Sequence, residues 1–175
     1  MHKNIYQRLA VLALFAACVG LPLTGLAAGS ISIAKEAPFA KQLGVPDAVR
    51  KECSLTTKVP EYVKEHTDKS YDKVTLANGV SAQTPGQALS LKITNLTGAG
   101  GGAWSGPKFV TVEGTLWENG KVKGTFTATR FSSGGAFGGY KGTCAILDRC
   151  VKAIGKDVGK WLTSPGMNAR LGDAK

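Results

Sequence analysis

The chain has 175 residues, with 22 Lys and Arg against 12 Asp and Glu, for a net charge of +10. That length excludes a peptide too small for a core of its own. The charge favours anionic partners, but no dense run of Lys and Arg is present, so no nucleic-acid partner is expected.

Residues 1–28 read as an export signal. Lys3 and Arg8 form a basic start, Leu9 to Ala28 is uncharged, and Gly25-Leu26-Ala27-Ala28-Gly29 supplies small residues for cleavage. Three fates fit the segment. It is cut after Ala27 or Ala28, it is cut before a lipidated Cys18, or it stays as an anchor, since about 20 apolar residues span a bilayer. Phe15-Ala16-Ala17-Cys18 has the small residues that lipid attachment needs, although the apolar stretch continues to Leu23. The expected location is the periplasm or the exterior, with an outer-membrane lipoprotein as the alternative. Membrane contact is expected only with lipid on Cys18 or an uncleaved signal. Losing 1–28 leaves 20 basic against 12 acidic residues, an excess of +8.

Residues 29–44 form a mixed leader without a clear period. Pro46 opens a short helix to about Cys53, because proline at the first helical position gives up an N–H with no partner there. Pro60 opens a second helix through His66. Ser70 to Leu76 is a short strand, and Gly79 to Gln87 a turn. Leu89, Leu91 and Ile93 alternate with Ser90, Lys92 and Thr94, the pattern of a strand with one wet face. Gly98 to Gly106 is a glycine-rich loop.

Lys108 to Trp117 and Lys121 to Phe131 form a hairpin. A three-residue loop, Glu118 to Gly120, pairs Trp117 with Lys121. It sets Val110, Val112, Gly114 and Leu116 on one face with Val122, Gly124, Phe126 and Ala128. Gly120 then takes the left-handed bulge position after a type I turn. The other face, with Thr111, Glu113, Thr115, Thr125, Thr127 and Thr129, is expected to be wet. After a second glycine cluster, Gly134 to Gly142, an amphipathic helix runs from Thr143, its expected N-cap, to Leu162. Pro165 ends it, and residues 164–175 read as a flexible tail. The fold expected is α+β: a three- to four-stranded, mainly antiparallel sheet with the C-terminal helix and short N-terminal helices packed on one face, within one domain over 45–163.

The cysteines constrain this fold. Four are present, and loss of Cys18 leaves three. Cys144 and Cys150 on one helix stand about 9 Å apart along its axis, whereas a disulfide needs Cα atoms within about 7 Å. Cys53 is therefore the partner for one of them. Cys144, at the helix start, is preferred, which leaves Cys150 a buried free thiol. No Cys-x-x-Cys occurs, and the spacings around the cysteines and His66 match no closed zinc motif.

Little else points to chemistry. After the signal, His66 is the single histidine, in a Lys- and Glu-rich stretch. Gly98–Ala103 lacks the helix that a dinucleotide loop needs, and Gly134–Gly142 lacks the Gly-Lys-Ser/Thr ending of a P-loop. Neither cofactor nor metal is expected, and the chain reads as a non-enzyme. Trp104, Phe137 and Tyr140 sit in the glycine loops, as a binding edge or as core plugs. Arg149, Lys152, Lys156 and Lys160 form a basic stripe on the last helix, a candidate anion-binding face.

Gly101–Lys108, Gly139–Leu147 and Trp161-Leu162 resemble a family of exported proteobacterial envelope proteins built on a domain of unknown function. The layout is also similar to small envelope lipoprotein domains, such as the curli-secretion lipoprotein and activators of penicillin-binding proteins. That likeness implies an envelope location and protein association, and no catalytic residues. The expected role is protein binding or assembly with an envelope partner. The alternatives are a binding module for anionic lipid or polysaccharide, and a hydrolase with an unrecognised carboxylate pair.

Overall fold

Branched residues alternating with polar ones build a sheet larger than the one expected. The computed structural model describes residues 28–99, 102–135 and 137–174. Its strands are β1 (Ala28–Ala34), β2 (Tyr71–Ala77), β3 (Gln87–Thr97), β4 (Lys108–Glu118), β5 (Lys121–Ser132) and β6 (Ala169–Gly172). They form one six-stranded sheet in the order β2-β1-β3-β4-β5-β6. β3–β4 and β4–β5 are antiparallel, while β1–β2, β1–β3 and β5–β6 are parallel. The sheet is therefore mixed, not mainly antiparallel, and has more than four strands.

The added strands come from the segments read as leader and tail. β1 shows only two alternating apolar residues, Ile31 and Ile33, both buried. Beyond it, Phe39 bridges to Ile93. β6 is four residues long, too short to leave a period. It pairs with β5 from Phe126↔Ala169 to Thr129↔Gly172. Asp173 then accepts the Phe131 N–H at 3.1 Å, and Ala174 is buried. The last residues are thus fastened to the sheet instead of loose. The signal segment up to residue 27, with Cys18, lies outside the described residues, while Ala28 opens β1.

The hairpin keeps its buried face but not its expected turn. Its loop is Asn119-Gly120, with left-handed φ of 51° and 82°, and Glu118 pairs with Lys121. Two left-handed residues make the type I′ turn that follows strand twist. Trp117 pairs with Val122 and Leu116 with Gly124, so Lys123 is a bulge. That extra residue puts Gly124, Phe126 and Ala128 back beside Leu116, Gly114 and Val112. Val122 is left 49% exposed. Gly114 and Gly124 act as sockets. A Cβ would stand 2.3 Å from the Phe126 ring at Gly114 and 2.7 Å from the Trp161 ring at Gly124.

All three helices cover the face bearing Ile31, Ile33, Leu89 and Val112. They are α1 (Asp47–Glu52), α2 (Leu55–Thr67) and α3 (Thr143–Trp161). Pro46 caps α1 instead of opening it. α2 starts five residues before Pro60, which lies inside it. Proline has no N–H for the carbonyl four residues back. Here the Thr56 carbonyl accepts the Ala37 N–H at 2.8 Å, so the break is repaired from outside the helix. Gly142, not Thr143, is the N-cap of α3. The Thr143 hydroxyl is turned to the Ala99 carbonyl at 3.0 Å. Gly155 and Gly159 set α3 directly on α2. A Cβ on Gly155 would lie 2.6 Å from the Cβ of Tyr62, and one on Gly159 2.8 Å from that of His66.

Candidate functional site

Two glycine loops meet at one end of the sheet and carry the exposed aromatics. One joins β3 to β4 and holds a short 3-10 turn, Gly102–Ser105; the other joins β5 to α3 and holds Gly138–Tyr140. Glycine alone would leave such loops mobile, but these are tied down. Lys108 is buried, and its Nζ donates to Ser105 Oγ at 2.7 Å and to the Gly106 carbonyl at 3.0 Å. Lys141 Nζ donates to the Gly134 carbonyl at 2.8 Å. The Thr143–Ala99 bond links the loops to the start of α3.

On this frame Trp104 is 87% exposed, Phe137 81% and Tyr140 93%. Phe137 has a left-handed φ of 59°, uncommon for a bulky residue. Of the two sequence readings, the structure shows an edge and not core plugs. Isolated apolar residues on a surface need no explanation, but here three large rings stand exposed together on two touching loops.

The basic stripe divides. Arg149, Lys152 and Lys156 line one groove of about 440 Å³ together with His66, Arg130 and Phe131. Lys160 lines a separate depression with Asp157, Trp161 and Arg170. The closeness of α2 to α3 at Gly159 brings His66 to the groove. Arg149 lies against Gly135, with Nη2 2.8 Å from where a Cβ would stand, so the groove begins at the second glycine loop. Phe131, 54% exposed, packs on Phe109 at 5.2 Å between ring centroids.

The carboxylates around this groove are engaged by other groups. Arg130 forks onto Asp157 at 2.6 and 2.8 Å and reaches Asp173 at 3.4 Å. The Asp157 hydrogen bond raises the Arg130 pKa. Asp148 takes Lys58 at 2.8 Å and the Tyr62 hydroxyl at 3.1 Å. Burial, then the Asp148 bond, raises the Tyr62 pKa, so the phenol stays a donor. Lys152 Nζ lies over the same tyrosine ring, 5.6 Å from its centroid. Among the described residues, no ion pair joins Arg149, Lys152 or Lys156 to a carboxylate.

Cys53 and Cys144 form the expected bridge, with Cα atoms 4.8 Å apart. It ties the end of α1 to the first turn of α3, behind the aromatic edge. Cys150 is the buried free thiol. Its Sγ points to the Lys108 carbonyl at 3.7 Å. Among the described residues no group of three His, Cys, Asp or Glu side chains is placed to hold a metal. No helix among them is long and apolar enough to cross a membrane. Asp157 and Asp173 come to one site, but both serve Arg130 as counter-ions.

Sequence reasoning missed Lys108, Phe131 and the glycine seam. The spacing of Gly155 and Gly159, one helical turn apart, was the available signal for the seam. Nothing marked Lys108 for burial, since its depth follows from the loop that folds over it.

No protein-family model matches the chain, and no curated protein matches it. Solved structures similar to it include a PelC dodecamer from Paraburkholderia phytofirmans: 16% identity over 73% of this chain and 86% of the other, TM-score 0.46. Another is a Xanthomonas campestris protein of the DUF330 family: 12% identity over 77% and 83%, TM-score 0.46. At such identity and score nothing about function passes from them to this chain.

Proposed function

We propose that this chain is a non-enzymatic docking module of the bacterial envelope, and that Trp104, Phe137 and Tyr140 form its contact surface for a partner protein. The observation that carries this reading is the exposure of three large rings on loops held by buried and bridging lysines. Burying such rings is a strong source of binding free energy, because aromatic anchors dominate interface energetics. Loops that are already tied lose less entropy on binding.

The placement of β1 supports the same reading. Ala28 opens β1 beside Tyr71, whose hydroxyl reaches the Leu162 carbonyl at 3.5 Å, at the C-terminal end of α3. The aromatic loops lie at the other end of that helix, about 28 Å away for 19 residues. A domain held at its N-terminus, through lipid on Cys18 or otherwise, would present the aromatic edge outward. A domain released by cleavage near Ala28 keeps the same edge.

A photo-crosslinking amino acid at position 104 or 140, installed in the exported protein in cells, tests this. The expected result is one discrete higher-mass adduct from each loop position and none from position 73 on the outer strand. Adducts equal at all three positions, or none at 104 and 140, would remove the docking reading.

A further inference from the structure

We infer that the groove between the end of β5 and α3 is a binding site for a phosphate-bearing anion. The argument does not depend on the aromatic edge. Arg149, Lys152 and Lys156 follow one another at helical spacings of three and four, which puts neighbouring Cβ atoms about 5–6 Å apart. Arg149 and Lys156 stand about 10 Å apart along the axis with Lys152 between them, so three cations border one groove wide enough for a group with several oxygens. Arg130 sits at the margin but is occupied by Asp157 and Asp173. Asp148 is held by Lys58 and Tyr62 on the side toward α2. The acceptors nearby are thus spent. Arg149 and Lys156 line the concave floor, and Lys152 joins them with its Nζ resting over the Tyr62 ring, a contact an anion can compete for.

Phosphate fits this donor set better than a carboxylate does. An arginine gives paired planar donors and the lysines add point charges, a combination suited to a phosphate, whose two or three non-bridging oxygens share at least one full negative charge. The Phe131 ring forms an apolar wall beside the cations. The ligand class is therefore an organic phosphate, with an anionic phospholipid headgroup and a soluble phosphate ester as its two sources.

The division of the basic stripe supplies the control. Lys156→Glu and Lys160→Glu change net charge equally, and both side chains are exposed, but only Lys156 lines the groove. Two probes are used: inorganic phosphate, followed by amide NMR shifts over residues 149–156, and phosphatidylglycerol vesicles, followed by co-sedimentation, with phosphatidylcholine vesicles as blank. In the phosphate titration Lys156→Glu is expected to weaken binding about tenfold or more, the loss of one charge-assisted contact. Lys160→Glu, which acts only through the field from one turn away, should cost several-fold less than Lys156→Glu, and the gap should widen as salt rises. Retention on phosphatidylglycerol with the same variant ranking assigns the lipid source; phosphate shifts without vesicle retention assign the soluble one. The double variant Trp104→Ala, Tyr140→Ala should leave either result unchanged, which separates this site from the docking edge. Equal losses for Lys156→Glu and Lys160→Glu, or no response to either probe, would overturn the inference.

Discussion

The Ala37 N–H donates to the Thr56 carbonyl at 2.8 Å, the oxygen that Pro60 has no N–H to meet. A proline inside a helix costs about 3 kcal/mol or more, partly through that orphaned carbonyl. The segment after β1 supplies the missing donor, so α2 and the leader stabilise one another. The Ala37 amide should therefore exchange slowly with solvent, although it lies in no helix or strand. Native-state hydrogen exchange checks this, with the exposed Lys41 as a fast reference. Fast exchange at Ala37 would mean that the leader is not docked in solution.

This contact also shows what could be read from the sequence. Local features were legible: the apolar faces of β3, β4 and α3, and the Cys53–Cys144 pairing, where helix rise rules out Cys144–Cys150 and the helix start favours Cys144 over Cys150. β1 was not, because only Ile31 and Ile33 mark its alternation, and β6 was not, because four residues are too short for a period; each also depends on a parallel partner far along the chain. The turn at Asn119-Gly120 was misread because a bulge at Lys123 cannot be seen in an alternation count. At the candidate site, Arg149, Lys152 and Lys156 were legible as a cluster. Lys160 leaves it because it stands eleven residues, about 16 Å, along the helix axis from Arg149, past the end of the groove, although the two differ by only about 20° around the helix.

Gly155 and Gly159 should be intolerant of side chains. At Gly155 an added methyl would meet the Cβ of Tyr62 at 2.6 Å and its backbone carbon at 2.7 Å, so the helices must separate. Overpacking of this kind costs about 1–3 kcal/mol. Gly155→Ala and Gly159→Ala should each lower stability by that much in urea unfolding. Gly44→Ala, where nothing lies within 4 Å of the added atom, should stay within about 0.5 kcal/mol. Parental stability in both seam variants would show that α2 and α3 are less close than described.

Cys150 should make stability fall at alkaline pH. Burial pushes its thiol from 9.0 up to about 11. The folded chain therefore keeps the proton while the unfolded chain begins to lose it near pH 9. The contribution is complete below about pH 9 and is lost as pH rises toward 11, by at most about 2–3 kcal/mol. Urea unfolding from pH 8 to 10.5 should show a steeper decline for the parent than for Cys150→Ala. The native thiol should also resist maleimide at pH 8 and react once unfolded. Parallel pH profiles would remove the thiol from the balance.

Lys108 should hold the first glycine loop in place. Its buried ammonium is met by Ser105 Oγ and the Gly106 carbonyl, both within two residues of Trp104. Lys108→Met fills much of the same volume but offers no donor. It removes the donor these two oxygens share, at a cost of about 1 kcal/mol, because Ser105 is exposed and keeps its bond to the Ala99 carbonyl. The alternative is that the loop opens to water, which recovers the hydrogen bonds and loses the order. The two responses are distinguishable. Lower urea stability with unchanged loop amide exchange means strain is retained, and faster exchange over residues 102–106 with a small stability loss means the loop has opened. In the opened case the Trp104 edge loses its support, and crosslinking from position 104 should drop with it while that from position 140 persists. A variant with parental stability, exchange and crosslinking would show that the lysine positions nothing.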